Sequence, residues 1–311
     1  MQTCAVVLEK PGQIGLRQLS LEPPGVADVV VAVSFSGVST GTERLLWEGR
    51  MPAFPGMGYP LVPGYEAVGE VVEAGSESGI AVGTQVFVPG AYGFKEARPL
   101  FGASAARLVV PGGRVTPIDS GLGEAGVGFA LAATAQHAIA GGQRPDLIIG
   151  HGVLGRLIAR LAVIDGGEPP VVWETNPVRR DGAEGYRVID PADDERRDYH
   201  AIYDASGDAA LLDTLIGRLA RAGEIVLAGF YSDRISFAFA PAFMREARLR
   251  TASEWSPGDL VAVRRFVGDG RLSLAGLVSH VRPAEAVGEA YGTAFSDAGC
   301  LKLALDWREC S

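Results

Sequence analysis

Short apolar runs separated by glycine and proline make up the first part of the chain. Runs bounded by such turn formers are typical of β-strands. The predicted strands are Cys4–Leu8, Val29–Val33, Ala67–Glu73, Val86–Pro89 and Arg107–Val110. Their spacing predicts a small, irregular antiparallel barrel over residues 1–120.

Near Gly121 the pattern changes to apolar strands that alternate with helices. Strands are predicted at Leu147–Ile149, Val171–Trp173, Ala201–Tyr203 and Glu224–Ala228. Helices are predicted at Gly126–Ala140, Val153–Val163 and Ala209–Arg221. This alternation indicates a parallel sheet covered on both faces and joined by right-handed crossovers. We assign residues 121–270 to this second domain.

The pattern weakens after about Arg271, where Leu301–Leu305 is the one predicted strand. We expect residues 271–311 to return to the first domain. At roughly 150 residues per domain, a chain of 311 residues has room for two domains. The apolar fraction of 47% is that of a globular protein and argues against disorder.

Charge and cysteine content narrow the class of function. A formal net charge of −9 disfavours nucleic acid as a partner, because phosphate backbones would be repelled. The three cysteines form no CxxC pair, which predicts a reducing, cytoplasmic location. The N-terminus lacks a signal-peptide pattern. The apolar stretch Ala125–Ala140 contains polar residues, so we expect a buried helix and no integral membrane span.

A glycine-rich turn, Gly150-His-Gly-Val-Leu-Gly155, stands between a predicted strand and a predicted helix. The first glycine permits the tight turn, the second lets the backbone approach a pyrophosphate, and the third lets helix and strand pack closely. The helix N-terminus offers unpaired N–H groups to the phosphates. We predict a dinucleotide site that includes Gly150, Gly152, Val153, Leu154 and Gly155, with a purely structural turn as the alternative.

Glu174 follows the last glycine by about 20 residues, the spacing expected of a ribose-binding acid. Its carboxylate would accept hydrogen bonds from the ribose hydroxyls of NAD and would repel the 2′-phosphate of NADP. Arg179 and Arg180 could instead bind that phosphate, or form a solvated surface pair. His151 is either a pyrophosphate contact or an exposed loop histidine.

Two further loops follow predicted strands of the same sheet, at Asp204–Gly207 and at Gly229-Phe230. The carboxyl ends of parallel strands meet at one edge, and ligands bind there. Ser206 and Gly229 are therefore candidates for the nicotinamide end of the site. The alternative is that these residues only form the turns that connect strand to loop.

Longer motifs carry a family resemblance: Ser36–Glu43, Pro63–Glu70, Thr134–Ala138 and the glycine turn. With these motifs, essentially the whole chain resembles the medium-chain dehydrogenase/reductase superfamily. The resemblance implies an α/β oxidoreductase with a Rossmann-type parallel sheet domain plus an N-terminal GroES-like irregular β-barrel domain. The barrel domain would carry the substrate and the catalytic groups.

Within the superfamily, the long and unusual stretch Gly37–Glu66 resembles the bacteriochlorophyllide a dehydrogenases. The resemblance implies NAD-dependent oxidation of the C3 1-hydroxyethyl group of a bacteriochlorophyllide to acetyl, in bacteriochlorophyll biosynthesis for photosynthesis. It also implies a tetrapyrrole substrate and a homodimer formed through an edge of the dinucleotide sheet. Two alternatives stay open: an NADPH-dependent quinone or enone reductase, and a non-catalytic dinucleotide- or pigment-binding protein.

Zinc members of the superfamily have cysteine and histidine ligands where this chain has Ser39 and Tyr65. Zinc prefers thiolate and imidazole, so we expect no metal. Without a metal, a side chain must remove the hydroxyl proton of the alcohol or orient a water. The candidates are Ser39, Thr42, Glu43, Tyr65, Glu66 and His137. The alternatives are packing for Tyr65, a turn cap for Ser39, a satisfied helix histidine for His137 and a structural carboxylate for Glu66.

The loop Arg50–Pro63 is rich in proline, methionine and aromatic residues and has no charge after Arg50. An apolar loop is costly to expose. It either packs on the barrel or forms a wall for a large, flat hydrophobic ligand. Other aromatic residues that could extend such a wall are Trp47, Tyr92, Phe94 and Phe101.

Overall fold

Two units of the chain fold around separate cores. In the computed structural model, which describes residues 1–53 and 55–310, the first unit consists of residues 1–130 together with the chain from 274 onward. The second unit consists of Leu131–Ser273. Buried valine, leucine and alanine side chains dominate the core of the first unit, and leucine and isoleucine dominate that of the second.

The N-terminal part of the first unit is mostly strand. Its strands are β1 (Gln2–Lys10), β2 (Gln13–Ser20), β3 (Asp28–Val38), β4 (Leu61–Val62), β5 (Ala67–Ala74), β6 (Gln85–Val88), β7 (Arg98–Pro99), β8 (Arg107–Pro111) and β9 (Thr116–Pro117). Helix α1 (Thr42–Glu48) follows β3, and 3-10 helices lie at Gly112–Arg114 and Ser120–Gly128. Ser39 lies three residues before α1, and Tyr65 and Glu66 are the two residues before β5.

The second unit alternates strand and helix. Its elements are α2 (Phe129–Ile139, which begins in the first unit), β10 (Leu147–Ile149), α3 (Val153–Ile164), β11 (Val171–Trp173), β12 (Arg187–Ile189), β13 (Tyr199–Asp204), α4 (Leu212–Arg218), β14 (Leu219–Leu227), α5 (Phe239–Arg245), β15 (Arg248–Thr251) and α6 (Pro257–Gly268). Short 3-10 helices lie at Pro177–Arg179, Pro191–Asp193 and Ala209–Leu211.

Within the described residues, the strands of the second unit pair in parallel in the order β12-β11-β10-β13-β14-β15. The predicted parallel sheet is thus confirmed, and its order is that of the Rossmann fold. The sheet grows in one direction from β10 to β12 and in the other from β13 to β15. The loops after β10 and β13 therefore flank the point where ligands bind in such sheets.

The chain then returns to the first unit through β16 (His280–Pro283), a 3-10 helix (Ala284–Ala286), α7 (Val287–Ser296) and β17 (Leu303–Asp306). Strand β17 pairs antiparallel with β3. The next residue, Trp307, is buried and donates its Nε1–H to Ser36 Oγ at 2.8 Å. The predicted returning strand near Leu301–Leu305 is confirmed.

The first unit holds two sheets in the part of the chain that the structure describes. Their strand orders are β2-β1-β4-β7 and β16-β17-β3-β5-β6-β9, with β8 also paired to β3. Most neighbouring strands are antiparallel, as predicted, but β4–β7 and β16–β17 are parallel. Strand β3 is the centre of the larger sheet, and its Val29, Val30 and Val31 are fully buried.

Some elements differ from the sequence prediction. The expected helix Ala209–Arg221 ends at Arg218, because Leu219 joins β14 opposite Tyr199 and is fully buried. Helix α7 lies where the apolar pattern looked weak. None of the helices in residues 1–53 and 55–310 combines the length and the apolar character that crossing a bilayer requires.

Candidate active site

The glycine turn after β10 brings that strand and helix α3 into direct contact. Gly150 has a φ of 91°, in the left-handed region that favours glycine. A Cβ on Gly155 would lie 1.9 Å from the carbonyl oxygen of Gly150, so a larger residue does not fit there. A Cβ on Gly152 would meet no atom within 4 Å, which leaves open space at the helix N-terminus.

The first turn of α3 points backbone N–H groups into this space. Val153 and Leu154 open the helix, and their N–H groups have no partner within it. Gly152 precedes them as the N-cap residue and supplies no side-chain cap. An N-terminus of this kind favours a negatively charged group, so the turn can accept a phosphate.

Glu174, directly after β11, stands beside the turn. One carboxylate oxygen accepts the backbone N–H of His151 at 2.9 Å, and the other accepts that of Asn176 at 2.8 Å. The two hydrogen bonds fix the carboxylate, which is half-buried. Its remaining acceptor capacity can receive hydroxyl groups of a ligand.

Arg180 is engaged by the protein itself. Its Nε donates to the carbonyl oxygen of Glu174 at 2.8 Å, and its Nη2 forms an ion pair with Asp190. The guanidinium therefore has partners that hold it, and it is not the solvated surface group that one interpretation of the sequence expected. Asp190 also neutralises the charge of Arg180, so this guanidinium is less able to bind a 2′-phosphate.

His151 is fully buried, so the expectation of an exposed loop histidine was wrong. Its Nδ1 lies 2.6 Å from the carbonyl oxygen of Arg179, and its Nε2 lies 2.8 Å from the Tyr186 hydroxyl. A carbonyl only accepts, so Nδ1 carries the proton and Nε2 accepts from Tyr186. Burial lowers the pKa of His151 to about 4, and the ring is neutral near pH 7. The ring braces the loop after β11.

The three strand-end loops of the predicted site meet at one edge of the sheet. A Cβ on Gly150 would lie 3.5 Å from the backbone of Ser206, and one on Gly229 would lie 2.7 Å from the nitrogen of Gly207. The Ser206 hydroxyl donates to Asp204 Oδ1 at 2.6 Å. This arrangement places Ser206 beside the glycine turn and Gly229 beside the loop that holds Ser206.

In the first unit, three of the predicted catalytic residues share hydrogen bonds. The Tyr65 hydroxyl donates to Ser39 Oγ at 2.9 Å, and the backbone N–H of Thr42 donates to the same oxygen at 3.2 Å. Ser39 precedes α1, Thr42 begins it, and Tyr65 lies just before β5. The ring of Phe101 packs edge-on against Tyr65, with centroids 5.6 Å apart.

The environment of Tyr65 favours the neutral phenol. Burial, followed by the nearby Glu66 carboxyl, raises the pKa of Tyr65 well above its ordinary value of 10. A phenol that keeps its proton is a poor general base. It remains a good hydrogen-bond donor, as its bond to Ser39 indicates.

Glu66 lies next to Tyr65 and forms a buried ion pair that the sequence analysis missed. Its Oε2 is 2.5 Å from Lys302 Nζ, and both side chains are at most 2% exposed. Burial raises the pKa of Glu66, and the Lys302 ammonium opposes that rise. A lone charged residue in the apolar run Leu301–Leu305 was the available signal for Lys302.

Glu43 is a second buried carboxyl close to Ser39. Its Oε1 accepts the backbone N–H of Ser39 at 3.1 Å, and its Oε2 accepts the hydroxyl of Tyr291 from helix α7. Burial raises the pKa of Glu43 to about 7. Tyr291 was also missed, because it follows Glu43 by more than 200 residues.

His137 belongs to the second unit. Its Nδ1 lies 2.9 Å from Asp259 Oδ2, which joins helix α2 to helix α6. The side chain is half-buried. This bond fits the alternative of a satisfied helix histidine.

The side chains of the first-unit cluster do not suit zinc. Ser39 Oγ already accepts two hydrogen bonds, Tyr65 keeps its proton, and Glu66 is paired with Lys302. Zinc sites use thiolate, imidazole or free carboxylate ligands. Among the described residues, no group of three or more His, Cys, Asp or Glu side chains could hold a metal ion.

The apolar loop Arg50–Pro63 packs on the first unit at both of its ends. Met51 and Leu61 are buried in a cluster with Leu46, and the Tyr59 hydroxyl donates to the Leu46 carbonyl at 2.6 Å. The residues between them that are exposed are Pro52, Ala53, Pro55 and Gly56, while Phe54 lies outside the described residues. Of the aromatic residues suggested for a ligand wall, Tyr92 is exposed, Phe94 is buried, and Trp47 and Phe101 are half-buried.

Comparison with known proteins identifies the family. Residues 25–120 match the alcohol dehydrogenase GroES-like domain, which confirms the predicted fold of the first unit. The 2-desacetyl-2-hydroxyethyl bacteriochlorophyllide A dehydrogenase of Cereibacter sphaeroides is 58% identical, and the match covers 99% of each chain. The chain belongs to this dehydrogenase family. The protein of the same name from Rhodobacter capsulatus is 55% identical, again over 99% of each chain.

The solved structures include the same fold. A short chain alcohol dehydrogenase from Escherichia coli CFT073, complexed with NADH, matches with a TM-score of 0.82 at 19% identity. The match covers 98% of this chain and 99% of that chain. The bacteriochlorophyllide dehydrogenase family thus shares its fold with alcohol dehydrogenases.

The contact at Gly155 leads to a prediction about stability. Gly155→Ala is expected to lower the free energy of unfolding by about 1–3 kcal/mol, the usual cost of overpacking. Gly152→Ala, which faces open space, is the matched control and should cost less than about 1 kcal/mol. Urea unfolding of both variants without ligand measures the difference. Equal effects would contradict the close approach of Gly155 to Gly150.

Proposed function

We propose that this protein oxidises the C3 1-hydroxyethyl group of a bacteriochlorophyllide to acetyl, with a nicotinamide dinucleotide as hydride acceptor. The observation that carries the proposal is 58% identity over 99% of the chain to a protein named for this substrate. A glycine turn fitted to a phosphate and a separate cluster of hydroxyl and carboxyl groups supply the two kinds of site that the reaction needs.

The oxidation removes a hydride from the alcohol carbon and a proton from its oxygen. The dinucleotide, when bound, accepts the hydride. In our proposal Ser39 and Tyr65 hold the substrate oxygen, with Tyr65 as a neutral donor, and a water molecule that they orient takes the alcohol proton. Thr42 holds Ser39 through its backbone N–H, and Glu66 helps to keep Tyr65 protonated. We give His137 no part in this step, because its Nδ1 is already bonded to Asp259. No metal takes part, in keeping with the donor set of the cluster.

We propose NAD as the cofactor. The Glu174 carboxylate is held beside the glycine turn by two backbone N–H groups, in reach of a ribose bound there. A carboxylate in that place accepts two ribose hydroxyls and repels a 2′-phosphate. The engagement of Arg180 by Asp190 adds support, because it removes a cation that NADP would need.

We also propose a homodimer formed through the β15 edge of the Rossmann-type sheet. Strand β15 ends the sheet order, so its outer backbone groups have no neighbouring strand in the described chain. Beside it, Phe239, Phe243 and Met244 of α5 are 73%, 65% and 74% exposed. Exposed strand edges and apolar patches favour association with another chain.

The cysteine spacing supports a reducing, cytoplasmic location.

Turnover of the purified protein tests the proposed reaction. With 3-hydroxyethyl bacteriochlorophyllide and NAD⁺, we expect the pigment's absorbance to change to that of the acetyl product, with one NADH formed per pigment. Tyr65→Phe should lower kcat by about a hundredfold, the scale of a lost hydrogen-bond donor where negative charge develops on the substrate oxygen. Tight binding of the pigment and NAD⁺ without turnover would instead indicate a binding protein.

The cofactor proposal predicts a change in nucleotide preference. Glu174→Ala should weaken NAD⁺ binding by about tenfold to a hundredfold, because hydrogen bonds to the ribose are lost. NADP⁺ binding should weaken less, since a repelling charge is also removed. Calorimetry with each nucleotide measures both constants, and Glu195→Ala, an exposed carboxylate of the same unit, is the control. Equal weakening of both nucleotides would mean that Glu174 only braces the turn.

The dimer proposal predicts that one added charge separates the subunits. Phe243→Glu should convert the dimer to a monomer in sedimentation velocity, because a buried unpaired carboxylate is costly. Val261→Glu changes a residue that is 70% exposed on α6 and should leave the dimer intact. A wild-type protein that sediments as a monomer would refute the proposal.

A further inference from the structure

Three charged side chains of the first unit are buried together, and their charges do not cancel. Glu43, Glu66 and Lys302 are each at most 2% exposed. The cluster holds two carboxyls and one ammonium, so it would carry an uncompensated negative charge with both carboxyls ionised. A buried unpaired charge is costly, and such a group keeps a proton instead.

The contacts indicate which carboxyl keeps the proton. Lys302 Nζ touches Glu66 Oε2 at 2.5 Å, so the ammonium favours the ionised form of Glu66. The groups that contact Glu43 are neutral: the backbone N–H of Ser39 and the hydroxyl of Tyr291. Among the described residues, Glu43 is therefore the carboxyl of this cluster without a contacting counter-charge.

We propose that Glu43 holds the exchangeable proton of this cluster and, through it, positions the Ser39–Tyr65 hydroxyl pair. Glu43 is a positioning residue in this role, because it acts on Ser39 and Tyr65. The proton itself is a property of the folded chain alone. Only its effect on turnover rests on the function proposed above.

The geometry links the proton on Glu43 to the hydroxyl pair. Ionised Glu43 accepts from both the Ser39 N–H and the Tyr291 hydroxyl, so both of its oxygens are engaged. A proton on Oε2 makes that oxygen a donor, and the Tyr291 hydroxyl must then turn to another partner. Ser104 Oγ, which is buried beside that hydroxyl, is in place to receive it. A shift of Glu43 moves Ser39, whose Oγ receives the Tyr65 hydroxyl.

The titration of Glu43 is set by groups from every element packed against it. Burial raises its pKa to about 7, Tyr291 of α7 and the Ser39 N–H lower it, Glu66 raises it and Lys302 lowers it. The folded chain thus binds this proton more tightly than the unfolded chain, in which the pKa is near 4.5. Stability from this group is complete below about pH 4.5 and is lost as the pH rises through about 7.

A comparison of unfolding across pH tests the proton without any substrate. Relative to Glu43→Gln, wild type and Glu48→Gln, a change at an exposed carboxylate of the same helix, should both lose stability between about pH 5 and pH 8. His151, whose lowered pKa adds stability over part of that range, contributes equally to all three proteins. Glu43→Gln keeps the acceptor oxygen but cannot titrate, so its stability should fall less over that range. Parallel curves for wild type and Glu43→Gln would overturn the proposal.

Infrared spectroscopy observes the same proton directly. Wild type should show the C=O band of a protonated carboxyl at pH 6 that disappears at pH 8, and Glu43→Gln should lack it. Glu66→Gln should move the loss of this band to lower pH, because the Lys302 charge is then left to Glu43 alone. A band that persists in Glu43→Gln, or that does not move in Glu66→Gln, would assign the proton elsewhere and overturn the proposal.

The pH dependence of turnover tests the positioning role. The kcat of wild type and Glu48→Gln for the hydroxyethyl pigment should change with an inflection near pH 7, and Glu43→Gln should lack that inflection. An inflection that survives in Glu43→Gln would overturn the positioning role. If no protein turns over the pigment while unfolding and infrared data follow Glu43, the proposed function fails and the proton assignment is supported.

Discussion

A single close approach determines how the proposed dinucleotide site is built. The carbonyl oxygen of Gly150 leaves no room for a side chain at Gly155, so helix α3 begins directly against the end of β10. That approach points the first N–H groups of the helix into the open space at Gly152. It also brings the loop after β11 alongside, where the buried His151 and the fixed Glu174 carboxylate complete the wall.

Local pattern sufficed where short strands were fully apolar. The sequence predicts the observed bounds of two strands, Leu147–Ile149 and Val171–Trp173. Every position of a buried parallel strand is apolar, so the apolar run ends where the strand ends. Helix α7 was missed although Val287, Ala290, Tyr291 and Ala294 are buried at helical spacing. Glycine and alanine occupy several positions in and around this helix, and these small residues weaken its apolar pattern.

The candidate catalytic cluster could be predicted only in part, for a physical reason. Ser39, Thr42, Tyr65 and Glu66 lie in two segments whose motifs mark them, and hydrogen bonds join the first three. Their partners Tyr291 and Lys302 come from the far end of the sequence, where spacing carries no information about contact. Burial raises the pKa values of Tyr65 and Glu43, so Tyr65 is a poor base and Glu43 favours its neutral form. Burial is likewise a property of the assembled fold.

The return of the chain to its first unit also orders events during synthesis. Strand β3 can pair with β17 only after the ribosome has translated almost 270 further residues. By then every strand of the parallel sheet has left the exit tunnel. The second unit can therefore fold while the first unit is still incomplete. The emerging polypeptide can therefore form the proposed nucleotide site before Tyr291 and Lys302 are in place in the first unit.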